Sequence, residues 1–182
     1  MGKRRYSHSF EIALSAISCA VAVVCLLVGF WSDILLASGY LFAMLALMVP
    51  LSKRFFWGDF LAYMGTVILA IVMGAAARFW DLVPFIMFFG LHPLVNCLQV
   101  RFKINRWLAL AVKAVWFDFT LWVAYLLIFG GVIGGDNAVY EFINTYIYLF
   151  IVLGGTLVFF PYDYLMYRMQ HAVDMLVYRI KK

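Results

Sequence analysis

Residues 84–118 read PFIMFFGLHPLVNCLQVRFKINRWLALAVKAVWFD, two apolar runs joined by a short turn that carries Arg101, Lys103 and Arg106. Polar side chains interrupt the apolar runs at four positions, His92, Asn96, Lys113 and Asp118. A charge near the centre of a bilayer costs about 2.5 kcal/mol or more, so a span keeps one only where it faces protein or water. The stretch therefore predicts a membrane hairpin with a polar interior rather than a simple anchor.

The rest of the chain is as apolar as this hairpin. Hydrophobic residues make up 67% of the 182 residues and charged residues 13%, whereas soluble domains carry about 25% charged residues. Crossing the hydrocarbon takes about 20 apolar residues as a helix, and polar breaks leave six such runs, at about 10–30, 34–51, 56–77, 82–100, 107–129 and 145–164. We therefore expect an all-α integral membrane protein of the cell membrane, a single six-transmembrane-helix bundle with a short amphipathic C-terminal tail at 165–182.

Lysine and arginine residues are distributed unequally between the two sides of this predicted bundle. Of the 14, twelve fall on one side, Arg78 alone falls on the other, and Lys113 lies inside a span. Cytoplasmic loops carry the excess of basic residues, so we expect both termini in the cytoplasm. The net charge of +5 is explained by these loops and by anionic lipid, and no nucleic-acid partner is expected.

The sequence lacks the common motifs of soluble catalysis. It contains no G-x-x-x-x-G-K-[ST] phosphate loop, so any ATP hydrolysis must occur on another subunit. Its cysteines, Cys19, Cys25 and Cys97, lie inside apolar runs and form no C-x-x-C pair, which indicates neither a metal site nor a thiol-redox site. We expect no enzymatic activity and no cofactor.

The polar residues of the hairpin are predicted to lie deep in the bilayer. At about 1.5 Å per residue from the basic turn, His92 is roughly 13 Å deep, Lys113 about 10 Å and Asp118 about 18 Å. The three can therefore meet in the middle of the bundle, with Asn96 within reach of Lys113. Lys113 is expected to extend toward the cytoplasm or to bond backbone carbonyls near Pro93. The cluster fits a structural brace between helices, a contact to a partner protein, or a proton or substrate relay.

Aromatic and hydrogen-bonding residues gather on the opposite, outer side. They come from three predicted loops, the last of which is the glycine-rich segment 130–144. Flat aromatic groups with a few polar ones are typical of a pocket for a small, partly planar solute, and equally of an aromatic belt at the membrane surface. The candidate substrate-binding residues are Arg78, Trp80, Asp81, Asn137, Asn144 and Trp31.

The first span carries a stripe of small residues. Within EIALSAISCA at 11–20, Ala13, Ala16 and Ala20 share one helical face, and small residues at such spacing let another helix approach closely. Two interpretations follow, namely packing against the chain's own helices or docking of a different membrane subunit.

The chain resembles the substrate-binding S component of an energy-coupling factor (ECF) vitamin transporter. The resemblance rests on the six short spans, on the alanine-rich first helix, and on the runs FFGLHPLVN (88–96) and LAVKAVWFD (110–118) around a basic turn. Ala16 and Ala20 match the A-x-x-x-A face through which that family docks on a transmembrane coupling subunit. The resemblance implies capture of a small vitamin-like solute under the outer loops, and import driven by two ATPase subunits.

Two other classes remain open. A structural membrane protein resembling the shape-determining protein MreD would have a similar size and number of spans, and would scaffold a cell-envelope complex. A small membrane enzyme would need a converging acid–base set, for which His92 and Asp118 are the candidates.

Overall fold

The computed structural model describes residues 8–129, 142 and 145–179, and the regular structure in these ranges is entirely helical. The helices are α1 (His8–Gly29), α2 (Asp33–Ser52), α3 (Phe56–Val72), α4 (Phe79–Pro84), α5 (His92–Arg101), α6 (Arg106–Phe129), α7 (Ile147–Leu149) and α8 (Gly155–Arg179). A 3₁₀ turn (Ala75–Arg78) precedes α4, and π-helical turns follow α4 (Phe85–Phe89) and α7 (Phe150–Gly154).

Five helical stretches within the described ranges are long and apolar enough to cross a membrane. They are Ser9–Gly29, Ile34–Ser52, Phe79–Arg101, Arg106–Ile128 and Ile147–Val177. A further apolar helix, Phe56–Val72, is shorter, at 17 residues. The chain therefore has the helices of an all-α, multi-pass membrane protein. The predicted bounds of the first, second and fifth spans agree with α1, α2 and α6 to within two residues.

The third and fourth predicted spans differ from the structure at their ends. The helix predicted over 56–77 stops at Val72, because Gly74 has a φ of 132°, which a continuing right-handed helix does not allow. The fourth begins earlier, at Phe79, and is interrupted at Gly90 before α5 starts with His92 and Pro93. Pro93 has no backbone N–H, so it cannot donate a hydrogen bond to the preceding helical turn. Just before the interruption, Gly90 N donates to Phe85 O at 2.8 Å, a π-helical hydrogen bond.

The sixth span continues into the segment predicted as an amphipathic tail, since α8 runs without a break from Gly155 to Arg179. Pro161 lies inside this helix and does not end it. Methionine packing explains the continuation, since Met166 is 2% exposed and contacts Met44 and Met48 of α2. The part of α8 around Met166 therefore packs against α2.

The most extensive helix contact in the described part of the chain is between α1 and α2. Their backbones meet at two glycines, and a Cβ atom placed on Gly39 would lie 2.8 Å from the Cα atom of Gly29. Gly65 of α3 likewise lets α1 approach closely, since a Cβ atom placed on Gly65 would lie 3.1 Å from Cys19 Sγ. One core therefore joins α1, α2 and α3 to α4.

A second, aromatic core joins the π-helical turn after α4 to α6 and α8. Phe88 is fully buried there, with ring centroids 4.9 Å from Trp116 and 5.0 Å from Phe117. Phe159 and Tyr162 of α8 complete the cluster. This core places the start of α5, the middle of α6 and the middle of α8 beside one another.

Candidate functional site

The predicted outer site is partly visible, and its charged residues bond to each other. Arg78 Nε donates to Asp81 Oδ2 at 2.6 Å, and Arg78 Nη1 donates to the carbonyl oxygen of Phe30 at 2.8 Å. The hydroxyl of Tyr40 donates to the backbone carbonyl of Asp81. These bonds tie the end of α1 and the middle of α2 to the start of α4. Arg78 would therefore have to exchange partners to bind a solute.

The other predicted solute-binding residues are either exposed or outside the described ranges. The side chains of Trp31 and Trp80 are 88% and 52% exposed. Asn137 and Asn144 lie outside the described residues, as does most of the glycine-rich segment. The solute-binding role of these six residues stays a prediction.

Ala13, Ala16 and Ala20 are all exposed on α1. The small residues that α1 uses inside the bundle are on its other side, where Ser15, Cys19 and Ala22 are buried. Among the residues that the structure describes, no helix covers the alanine stripe, so its packing against the chain's other described helices is not observed.

The polar residues of the hairpin form a buried cluster, which we call the central polar cluster: His92, Asn96, Lys113 and Asp163. Lys113 Nζ donates to Asn96 Oδ1 at 2.7 Å and to Asp163 Oδ1. His92 Nε2 lies 3.3 Å from the same oxygen of Asp163, and His92 Nδ1 lies 3.5 Å from Asn96 Nδ2. The expected contact of Asn96 with Lys113 is confirmed, whereas bonding of Lys113 to carbonyls near Pro93 is wrong.

Asp118 does not join this cluster. Its Oδ2 atom accepts a hydrogen bond from Thr156 Oγ1 at 2.9 Å, and its other oxygen lies close to Gly155. Asp118 follows Lys113 by five residues, a spacing that places the two side chains on different faces of one helix. An acid–base pair of His92 with Asp118 is therefore not formed, and the carboxylate beside His92 is that of Asp163.

Asp163 is the functional candidate that the sequence interpretation missed. It stands within the apolar run of the sixth span, in PYDYL, where a carboxylate is as unusual as Lys113 in the fifth. A search for every charge inside a predicted span would have found it. Its pairing with Lys113, 50 residues away, depends on how α6 and α8 align, which the sequence does not state.

Aromatic rings surround the central polar cluster and exclude water from one side. The ring centroids of Phe88 and Tyr162 lie 4.9 Å and 5.1 Å from that of His92, which is 0% exposed. Lys113 is 4% exposed. A buried ammonium is tolerated in such surroundings only with a counter-charge, and Asp163 supplies it. The cluster ties α5, α6 and α8 together.

A second carboxylate, that of Asp59, is buried without a partner. It lies in the first turn of α3, is 1% exposed, and neither of its oxygens has a hydrogen-bond partner among the described residues. Its position near the helix N-terminus is favourable for a negative charge, but it makes no capping bond.

The central polar cluster borders a cavity of about 670 Å³ between α5, α6 and α8. Its lining includes the buried Lys113, with Asn96 and Asp163 beside it, and the exposed Lys103 and Arg106 of the basic turn, which mark its mouth. A cavity of this size, lined by both polar and apolar side chains, can hold a small organic molecule. Within the described ranges, no three His, Cys, Asp or Glu side chains lie close enough to hold a metal ion.

Comparisons with models of protein families, with curated proteins and with solved structures found no match to this chain. Its function is therefore inferred from its own residues and their contacts.

Proposed function

We propose that the chain is the membrane-embedded, substrate-binding subunit of an ATP-driven importer of the ECF type. It captures a small vitamin-like solute at the outer face of the cell membrane and docks on a transmembrane coupling subunit. The observation that carries this proposal is the exposed alanine stripe of α1, Ala13, Ala16 and Ala20.

A comparison of the two faces of α1 supports the proposal that the alanine stripe binds a coupling subunit. On the inner side, small residues already hold α1 against α2 and α3, as the contacts of Gly39 and Gly65 indicate. On the outer side, the alanines are flanked by the large exposed residues Ile12 and Ile17. Small residues in a membrane helix allow close approach of another helix, and no described helix of this chain occupies that face.

In this proposal the chain crosses the membrane six times, with α3 and the 3₁₀ turn after it forming the third span. At about 1.5 Å per residue, the 17 residues of α3 extend about 25 Å, close to the hydrocarbon thickness of about 30 Å. Both termini and the basic turn lie in the cytoplasm. Because the chain has no phosphate loop, two separate ATPase subunits supply the energy.

A structural membrane protein resembling MreD is the second candidate. The bonds from Arg78 to Asp81 and to the Phe30 carbonyl favour it, since they engage the only outer basic residue inside the protein. Such a protein would scaffold a cell-envelope complex and would need neither a solute nor ATPases. The identity of the partner therefore distinguishes the two candidates.

The docking proposal predicts that Ala16→Trp and Ala20→Trp each weaken binding to a co-expressed coupling subunit. A large side chain at a close helix contact costs about 1–3 kcal/mol, equivalent to roughly 5- to 150-fold in affinity. The measurement is the fraction of coupling subunit and ATPases that co-purifies with the tagged chain in mild detergent.

Ala111→Trp is the matched control, because Ala111 is an exposed alanine of α6, which packs on α4 and α8 rather than on α1. This variant should retain the full complex. Full retention by both α1 variants would contradict docking through this face, as would equal loss in the Ala111 variant.

A further inference from the structure

The mouth of the cavity between α5, α6 and α8 carries positive charge without a counter-charge. Lys103 and Arg106 line this mouth, both are exposed, and neither has an acidic partner among the residues that the structure describes. Arg106 is the first residue of α6, where the partial positive charge of a helix N-terminus makes a further cation unfavourable. An anion bound at the mouth would remove this repulsion.

The backbone of the basic turn holds Lys103 in place. Its φ is 53°, in the left-handed region, and the turn closes through bonds from Lys103 N to Val100 O (3.3 Å) and from Ile104 N to Gln99 O (3.2 Å). This pair of bonds is the Schellman arrangement that ends many helices. The backbone from which the Lys103 side chain extends is therefore held in one position at the rim of the cavity.

The walls of the cavity are aromatic and apolar. Trp107 and Leu110 line it from α6, and Phe160, Tyr164 and Tyr167 line it from α8. Trp107 is 77% exposed, Tyr164 55% and Tyr167 63%. Exposed tryptophan and tyrosine beside lysine and arginine are typical of the level at which lipid head groups meet acyl chains.

The inner end of the cavity offers one further donor. The ammonium of Lys113 has three N–H groups, and the structure gives it two acceptors, Asn96 Oδ1 and Asp163 Oδ1. Lys113 lines the cavity and lies seven residues after Arg106, about 10 Å farther along α6. A ligand that enters from the mouth can therefore accept a hydrogen bond at depth.

We propose that this cavity is a specific site for one anionic phospholipid. The phosphate binds Lys103 and Arg106 at the mouth, a glycerol or ester oxygen accepts a hydrogen bond from Lys113, and an acyl chain lies along Trp107, Leu110 and Phe160. Inorganic phosphate would satisfy the basic mouth but would leave the apolar walls uncovered, so the source of the phosphate is a lipid. This site is independent of the importer function.

The test measures binding of phosphatidylglycerol and of the zwitterionic phosphatidylcholine to the purified chain in detergent, by native mass spectrometry at increasing lipid concentration. Both lipids offer an anionic phosphate, but the choline cation of phosphatidylcholine is repelled by Lys103 and Arg106, so we expect phosphatidylglycerol to bind at least about tenfold more tightly. Lys103→Asn should remove most of this preference. Asparagine tolerates the left-handed conformation, so the turn should keep its shape. Arg106→Gln tests the second contact without depending on that turn.

Arg54→Asn is the matched control. Arg54 has a φ of 62° in the corresponding turn after α2, carries the same charge, and does not line this cavity. The control should bind phosphatidylglycerol as the unmodified chain does. Equal losses in the Arg54 and Lys103 variants would overturn the proposal in favour of general charge attraction. Full competition by inorganic phosphate would overturn it in favour of a soluble anion.

Discussion

Asp163→Asn should lower the free energy of unfolding by about 3 kcal/mol, because it leaves the ammonium of Lys113 buried without a counter-charge. The substitution preserves the size of the side chain and removes its charge. Lys113 is 4% exposed and its other acceptor is the neutral amide of Asn96, so nothing else among its described contacts compensates the charge. The measurement is the unfolding transition of the purified chain in mild detergent, followed by heat or by denaturant.

Two further variants test whether the loss of stability comes from the Lys113–Asp163 pair or from removing any buried carboxylate. Asp118→Asn is the matched control, and it should change the free energy by about 1 kcal/mol or less, because Asp118 bonds to the neutral hydroxyl of Thr156. Adding Lys113→Met to Asp163→Asn should restore most of the stability, since an apolar side chain of similar size needs no counter-charge. If the Asp163 and Asp118 variants lose equal stability, or if the second substitution restores none, the pair does not hold the three helices together.

Gly39→Leu should be comparably destabilising, by about 3 kcal/mol, because no side chain fits between α1 and α2 at their closest approach. Even a Cβ atom would lie 2.8 Å from Gly29 Cα and 3.0 Å from the carbonyl oxygen of Cys25, and these backbone atoms cannot rotate away. The same unfolding measurement detects the loss.

Gly154→Ala is the control for this prediction. A Cβ atom on Gly154 would meet nothing within 4 Å, so this change should be neutral or should stabilise the helical segment by about 0.5–1 kcal/mol. An unchanged transition in the Gly39 variant would mean that α1 and α2 do not cross at their glycines.

The helices of this chain could be predicted from hydropathy, but not every one of their ends. The apolar runs that form α1, α2 and α6 are bounded by polar residues at both ends, so their limits agree with the structure. The third span ends early because Gly74 adopts a positive φ, and a glycine permits that conformation without requiring it. The polar residues after Tyr164 predicted an amphipathic continuation of the sixth span, and they do not show that Met166 packs against α2.

The central polar cluster could be predicted in part. Counting residues from the basic turn placed His92 roughly 13 Å and Lys113 about 10 Å deep, with Asn96 within reach of Lys113, because the rise of a helix is fixed. The same count could not choose between Asp118 and Asp163 as the partner. That choice depends on the rotation of α6 and on the alignment of α8 beside it, which arise from the packing of Phe88, Phe117 and Phe159.

The alanine stripe illustrates a related limit. The spacing of Ala13, Ala16 and Ala20 identifies a face that permits close approach, but α1 also carries small residues on its other side. Gly65 and Gly39 contact that other side. Their positions in the sequence do not reveal which face of α1 packs against them. Only the arrangement of the neighbouring helices leaves the alanines outside.

Native mass spectrometry of the complex released from membranes in mild detergent tests the importer assignment most directly, because it detects subunits and bound small molecules together. We expect the chain to appear with a transmembrane coupling subunit, two ATPase subunits and one small solute. Collisional release of that solute should give a single defined mass. A chain that appears without a solute and with cell-envelope proteins in place of ATPases would contradict the assignment and would favour the scaffold.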